Sequence, residues 1–384
     1  MKARPQGAGK TVRHPSGYAA FIPHPLPPEI AWRPRLLRAL SDADRLIGQL
    51  AREGGSLPNP HPLMRPFVRR EAVLSSRIEG TEATQGELLA AEAGAAVQRS
   101  PADLREVGNY VAALEHGTKR LSRLPLSLRL VRELHAKLMH GVRGNVATPG
   151  EFRRTQNWIG PPGCTLANAT YVPPPPEQLT KCLAAWEDFL HDRSLPPLVH
   201  TALMHYQFEA IHPFLDGNGR VGRLLVTLFL VERAVLPTPL LYLSAFFEAT
   251  RSDYYARLRG VSAEGDWASW LHYFFNGVAR QSEDALDRAS RIQDKLSEWE
   301  RAVRAAGSEA PARVLDLLAG NPFVTARGIS ERLTVARSTA ARAITALVGL
   351  GILTQVDARQ RDRAYCANDL LAILEEPARL LPTE

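Results

Sequence analysis

The chain has 384 residues, 45% of them hydrophobic, enough for two or three domains with packed cores and too apolar for a disordered polymer. Its three cysteines, Cys164, Cys182 and Cys366, show neither disulfide-framework nor metal-ligand spacing, which argues against a structural zinc site and for a reducing, cytoplasmic setting. A formal charge of +7 and a pI near 9.5 favour polyanions, but arginines spread along helix faces form a solvated surface, so charge alone assigns no nucleic-acid partner.

In chain order, the first residues to about Pro66 read as an irregular arm, a helix around Ile30 to Glu53 and a proline-rich connection. The basic amino terminus lacks the apolar core of a signal peptide, and no later apolar run reaches the ~20 residues that span a bilayer, so no membrane partner is expected. Helices are predicted over "FVRREAVLSSRIEGTEAT" and near Leu104 to Leu121, Leu128 to Met139, Pro176 to Asp192 and Leu198 to Ala210. Between them "GEFRRTQNWIGPPGCTLANATYVPPPP" holds too many glycines and prolines for a helix and reads as an extended excursion or hairpin. "GRLLVTLFLVERA" is apolar nearly all round, the pattern of a buried central helix. Further helices are expected over Asp253 to Leu258, Trp267 to Gln281 and "DALDRASRIQDKLSEWERAVRAA". From about Pro311 short helices precede "ILTQVDARQRDRAYCA", a two-stranded wing, in the order of a winged helix-turn-helix. The fold class is therefore mainly α, with a helical core, a β-hairpin flap and a carboxy-terminal winged helix-turn-helix.

The densest chemistry lies in "IHPFLDGNGRVGR", Ile211 to Arg223. Gly217 and Gly219 permit positive φ and close approach of a ligand. Successive N–H groups there, with the amino end of the following helix, make an anion site suited to phosphates. Arg220 and Arg223 are three apart and lean over one side of that helix, where their forked donors can clamp further phosphates. Asp216 is placed to hold Mg²⁺, which takes one or two carboxylates plus phosphate oxygens and water. Asn218 can donate to a phosphate oxygen, Phe214 anchors the loop, and His212 titrates where a base for a hydroxyl proton should.

"HPFLDGNGRVGR" resembles the signature of the Fic family at every specified position. The resemblance implies a helical enzyme that transfers AMP from ATP to a hydroxyl side chain of a protein and releases pyrophosphate. It makes His212 the general base, Asp216 the Mg²⁺ ligand and Gly217 to Gly219 the phosphate cradle, with Asn218, Arg220, Val221, Gly222 and Arg223 at the nucleotide and Arg223 on its γ-phosphate. "GEFRRTQNWIG" and "TYVPPPP" resemble the family's flap, with Ile159, Gly160, Tyr171 and Val172 offering an edge to an extended target segment. "LYLSAFFEATRSDYYARL" resembles the region over the nucleoside, with Tyr254 and Tyr255 either in the adenosine pocket or in the core. Ser262 stands where some relatives carry an asparagine that contacts the nucleotide, a departure from the pattern.

Upstream, Ser75 and Glu79 are four apart, sharing one face of a helix, and Gly80 follows. This resembles the inhibitory motif of Fic proteins, which implies that Glu79 pairs with Arg223, reaches into the ATP site and makes ATP bind unproductively. Two alternatives stay open: a transcriptional regulator whose nucleotide site senses, and a hydrolase in which Glu79 activates water to remove AMP.

In the last module Arg337, Ser338, Thr339 and Arg342 would face a DNA groove, and Arg359, Arg361 and Arg363 would sit on the wing. Nine arginines and no lysine against eight acidic residues from Pro311 onward leave one net positive charge, weak for duplex binding. Domain packing or partner docking is therefore favoured over DNA. The expected layout is 1–110 amino-terminal region with the inhibitory helix, 111–290 catalytic core, 291–310 helical linker and 311–384 winged helix. The partners implied by resemblance are a target protein, the chain itself as a target, and a second copy in a homodimer.

Overall fold

A computed structural model describes residues 7–56, 60–142, 148–307, 309–356 and 363–380. The arm expected to be irregular carries an antiparallel pair, β1 (Gly9–Arg13) and β2 (Ala19–Pro23), with Gly9 opposite Pro23 and Arg13 opposite Ala19. Two five-residue strands flanked by prolines give too short an alternation to be recognised in sequence.

Helix α1 (Pro34–Ser56) packs along the later α11, and α2 (Pro60–Ile78) runs toward the catalytic motif. The predicted helix to Thr84 stops at Ile78 instead, because Gly80 takes φ 101° and the N–H groups of Gly80 and Thr81 turn back to Arg77 O and Ser76 O at 3.0 and 3.2 Å. A new helix, α3 (Gln85–Glu92), then opens on a capping box in which Thr84 and Glu87 bond each other's backbone N–H. After α4 (Pro101–Leu121) and α5 (Leu128–Leu138) come α6 (Pro176–Leu190), α7 (Pro197–Ile211) and α8 (Asn218–Glu232). α8 is the buried centre, with Val221, Leu224, Leu225, Leu228 and Phe229 all sealed between α7, α4 and α5.

α9 (Ser244–Ala249) and α10 (Arg251–Glu264) lead into α11 (Trp267–Ala305), one continuous helix where two were expected. The expected domain limits at 110/111 and 290/291 thus fall inside α4 and α11. The excursion after Gly150 forms a single β-bridge, Ile159 to Tyr171, in place of a strand hairpin. Val172 O accepts the Phe21 N–H of β2 at 2.9 Å, so the arm's hairpin braces the flap.

The last module is α12 (Glu309–Gly320), β3 (Phe323–Thr325), α13 (Ala326–Leu333), α14 (Arg337–Gly349), β4 (Thr354–Gln355), β5 (Ala364–Cys366) and α15 (Asn368–Glu375), its sheet ordered β3-β5-β4. That is a winged helix-turn-helix with one further helix. Arg359 and Arg361 lie outside the described residues, and Arg363 leads into β5. The module is docked on the amino-terminal region: Asn321 Nδ2 donates to Leu89 O at 2.9 Å, and Glu375 accepts the Gly86 N–H at 2.8 Å. No described helix is long and apolar enough to cross a membrane.

Candidate active site

α7 ends where His212 enters the left-handed region at φ 49°, its N–H still bonded to Phe208 O at 3.0 Å. The chain then loops through Pro213 to Gly217, itself at φ 77°, before α8 begins. Four side chains hold the loop's carbonyls. Arg153 Nε donates to His212 O at 2.9 Å, Asn157 Nδ2 to Phe214 O at 2.8 Å, and His135 Nε2 to Asp216 O at 3.1 Å. His135 can donate there because its Nδ1 accepts the Gly150 N–H at 2.8 Å, which assigns the tautomer. Asn218 is the fourth: its Nδ2 donates to Phe214 O and its Oδ1 accepts Phe214 N–H, both at 2.8 Å. One donor of the amide expected at a phosphate is therefore used within the loop, and the second N–H remains for a ligand. Phe214 is fully buried and stacks on His135, ring centroids 3.7 Å apart, the anchor the sequence suggests.

With its carbonyls turned inward, the loop delivers the first-turn N–H groups of α8, which no helical carbonyl can satisfy, to the site. Arg220 is buried; it lies 3.5 Å from Glu106 and 3.7 Å from Asp216, and its Nε and Nη1 have no hydrogen-bond partner. Buried donors left open this way fit a phosphate ligand. Asp216 is 57% exposed and gives one oxygen to the Gly217 N–H at 2.5 Å. Among the described residues no three acidic, histidine or cysteine side chains gather to cage a metal, so a Mg²⁺ here fits only as an ion shared between Asp216 and phosphate oxygens.

His212 Nδ1 faces Glu209 O at 3.3 Å; with the proton on Nδ1, Nε2 is an acceptor. Burial lowers the imidazole to about 4, and the nearby Glu79 and Asp216 charges only partly oppose this, so the ring is neutral at pH 7.

Arg223, 2% exposed, donates from Nε to Ser75 Oγ at 2.9 Å and from Nη2 to Ser75 O at 2.9 Å and to Glu79 Oε1 at 2.7 Å. Ser75 sits in the last turn of α2 and Glu79 in the turn beyond it, so the two reach Arg223 from a helix end instead of one helical face. Burial disfavours the Glu79 carboxylate, yet the Arg223 and Arg220 charges outweigh it and hold the group below the usual range. A Cβ on Gly219 would run into Glu79 Oε1, so Glu79 lies directly over the anion cradle. Gly80, at φ 101°, supplies the turn that puts it there.

The other expected residues separate. Tyr254 is a core residue, 1% exposed, its hydroxyl 2.8 Å from His205 Nε2 and its ring stacked on Phe247. Tyr255 is 43% exposed under the Arg251 guanidinium and is the tyrosine open to a ligand. Val221 is fully buried and Gly222 faces Glu209 and His205, so neither offers a side chain to a nucleotide. Ser262 bonds Tyr206 at 2.8 Å. In the flap, Ile159 is 40% exposed, Gly160 packs on Cys164, and Tyr171 donates to Ala210 O at 2.8 Å, tying the flap to the end of α7. Sequence reasoning missed Arg153, Asn157, His135, Glu106 and Glu209. Arg153 and Asn157 stand in the quoted flap segment; the others lie on helices whose periodicity gives no sign of them.

Residues 37–119 match the Fic/DOC family N-terminal domain, residues 125–230 the Fic/DOC family domain, and residues 312–357 the IclR helix-turn-helix domain. Protein adenylyltransferase Fic of Drosophila grimshawi is 34% identical over 170 residues, 44% of this chain and 31% of the relative. Protein adenylyltransferase fic-1 of Caenorhabditis briggsae is 32% identical over 168 residues, 42% of this chain and 28% of the relative. The chain thus spans about a third of the length of the curated relatives it matches. Among solved structures, a Fic family protein from Desulfovibrio desulfuricans shares the fold with a TM-score of 0.59 at 20% identity, over 89% of this chain and 98% of that one. Fic-1 from C. elegans superposes with a TM-score of 0.53 at 26% identity, over 68% and 75%. The chain thus carries a Fic/DOC family N-terminal domain and a Fic/DOC family domain, with an IclR-type helix-turn-helix behind them.

Proposed function

We propose that the chain is an autoinhibited protein adenylyltransferase that moves AMP from ATP to a serine, threonine or tyrosine hydroxyl of a target protein. The observation that carries this is the convergence of one neutral imidazole, an open helix N-terminus and two buried arginines on a single loop. His212 Nε2 accepts the hydroxyl proton as the oxygen attacks the α-phosphorus. A new O–P bond forms, the α–β bridging bond breaks, and pyrophosphate leaves with the charge spread over Arg220, Arg223 and the α8 N-terminus. A base held at about 4 gives little driving force by itself, but triphosphate charge beside the ring raises its proton affinity toward neutrality. Mg²⁺, shared between Asp216 and the phosphates, would supply further charge neutralisation.

Glu79 is the brake in this reading. It holds the guanidinium that should orient the γ-phosphate and covers Gly219, where the phosphates approach. A charge-assisted bond of this kind contributes about 1.5–3 kcal/mol, a size that a competing phosphate can replace. The same pairing disfavours Glu79 as a water-activating base, because a carboxylate held low by Arg223 accepts a proton poorly. ATP labelled on its α-phosphate tests the proposal with the parent chain, Glu79→Gly and Glu79→Gly with His212→Ala. Label on protein is expected to rise in the first variant and to vanish in the second; equal labelling of parent and Glu79→Gly removes the brake, and no label in any sample removes AMP transfer.

A further inference from the structure

We propose that Glu209 is a positioning residue for Arg223, the interior carboxylate that takes over its guanidinium when Glu79 leaves. The inference rests on the function proposed above. The hydrogen bonds of the Arg223 guanidinium run to Ser75 Oγ, Ser75 O and Glu79 Oε1, and of these three acceptors only Glu79 carries an opposing charge. At 2% exposure Arg223 cannot turn to water, and a buried guanidinium left without an opposing charge is strongly destabilising.

Glu209 is placed to answer that need. It projects from α7 across Gly222, the residue before Arg223, and its Oε1 fills the space where a Cβ on Gly222 would sit. That oxygen is sealed from solvent and has no hydrogen-bond partner. The charged and titratable groups that act on the carboxylate are Arg223 from α8 and Glu79 from the turn after α2. It acts in turn on the Tyr254 hydroxyl of α10, while His205 of its own helix packs against the same glycine and His212 Nδ1 faces its backbone oxygen. Burial pushes Glu209 up to about 7, Arg223 pulls it down and Glu79 pushes it up. Withdrawing the Glu79 charge removes one of the two raising influences, which favours the ionised Glu209 beside an arginine that keeps Ser75 but has lost its charged partner.

The two carboxylates address Arg223 from different levels of α8. Glu79 lies over Gly219 in the first turn, where phosphates approach, and Glu209 over Gly222, one turn further in. A phosphate can therefore replace Glu79 while Glu209 keeps the guanidinium aimed outward. Gly222 is glycine for the same reason, since any side chain there evicts the carboxylate.

The test uses the full chain in the Glu79→Gly background, alone and with Glu209→Gln or Gly222→Ala. ATP affinity is measured by equilibrium binding, and KM and kcat by label transfer, at about pH 8 and about pH 6. In Glu79→Gly alone, ATP affinity should weaken severalfold toward the lower pH as Glu209 gains a proton. With Glu209→Gln, affinity should already be about tenfold weaker at the higher pH and nearly flat between the two, with KM raised and kcat within about twofold. Gly222→Ala, which keeps the acid but displaces it, should do the same, so the inference is testable even where Glu209→Gln folds poorly. Identical pH dependence with and without Glu209 overturns it, and so does a parallel loss of kcat with unchanged KM. If binding follows the expected pattern while no label transfers, the proposed activity fails and the role of Glu209 stands.

Discussion

Gly219 carries the shortest argument from one residue to the proposed control: with no Cβ it leaves room for the Glu79 carboxylate, and in the proposed reading a phosphate would compete for that same space beside Arg223. Ser75 contributes differently, since its carbonyl as well as its hydroxyl meets Arg223. Ser75→Ala therefore leaves two of the three contacts, and the loss of one hydrogen bond, about 1 kcal/mol, should raise label transfer only about fivefold. Glu79→Gly should exceed that clearly; equal activation by both would mean that the serine, not the charge, is the brake. The buried imidazoles set a second expectation. His135, His200, His205 and His212 are held by burial at about 4, 4, 3 and 4, against about 6.5 in an unfolded chain. Their folded values are depressed, so the stability they add is present above about pH 6.5 and is lost as pH falls through about 4. Glu71 and Glu209, raised by burial, work the opposite way, losing stability as pH rises from about 4.5 through their folded values. The four depressed histidines should still lower the thermal midpoint on acidification from about pH 6.5 to about pH 4, which circular dichroism melts would read. An unchanged midpoint over that range would show that these rings are not held neutral.

At the scale of elements, the flap's hold on the core is a small set of contacts: the Ile159–Tyr171 bridge, the Tyr171 hydroxyl on Ala210 O at 2.8 Å, and Phe21 N–H on Val172 O. Tyr171→Phe removes one of them at about 1 kcal/mol and should lower transfer to a protein target without changing ATP affinity, because the loop's own clamps, Arg153 and Asn157, remain. A matching drop in ATP binding would place Tyr171 in the nucleotide site instead. The contrast between what the chain discloses and what it hides has the same physical root. His212, Asp216, Arg220 and Arg223 were legible because one short loop brings glycines, a carboxylate and guanidiniums together in sequence. The α8 core was legible from its all-round apolar pattern. Residues such as His135, Glu106 and Glu209 act on the loop through space, and nothing in their own helices distinguishes them from ordinary turns. The end of α2 at Ile78 and the start of α3 were readable in principle, from Gly80 and from Thr84 with Glu87, but helix-period residues on both sides masked the break. Asn218 shows a role that the sequence did not suggest: a loop whose carbonyls face inward draws on its nearest amide, one donor of which goes to Phe214 O.

Across the whole molecule, the helix that ends at the proposed brake is also the helix on which the winged module is seated. Arg70 of α2 donates to Asp284 Oδ2 at 3.1 Å and to Glu376 O at 3.2 Å. Arg288, one turn along α11 and 1% exposed, takes the same carboxylate through two nitrogens at 2.8 and 3.0 Å and caps the end of α15 at Ile373 O, Glu376 O and Pro377 O. One buried carboxylate, Asp284, thus answers two buried guanidiniums that together hold the end of the last helix against α2. Removing one member of such a group leaves charges uncompensated, which costs about 3–5 kcal/mol, whereas a surface ion pair contributes about 1 kcal/mol or less. Asp284→Ala should therefore lower stability by several kcal/mol in urea, while Arg291→Ala, which breaks the half-exposed pair to Glu376, should change it by under about 1 kcal/mol despite its two short contacts. Because α2 carries Ser75 and leads into Glu79, loosening its far end should also weaken the grip on Arg223. In Asp284→Ala the labelled transfer at a temperature where the variant is folded should rise above the parent, and Arg291→Ala should not change it. A variant that is destabilised as expected yet labels like the parent would show that the last turn of α2 is held by its own neighbours, through Glu71 with Tyr110 and Ser244, and that the winged module is seated on the brake without leverage over it.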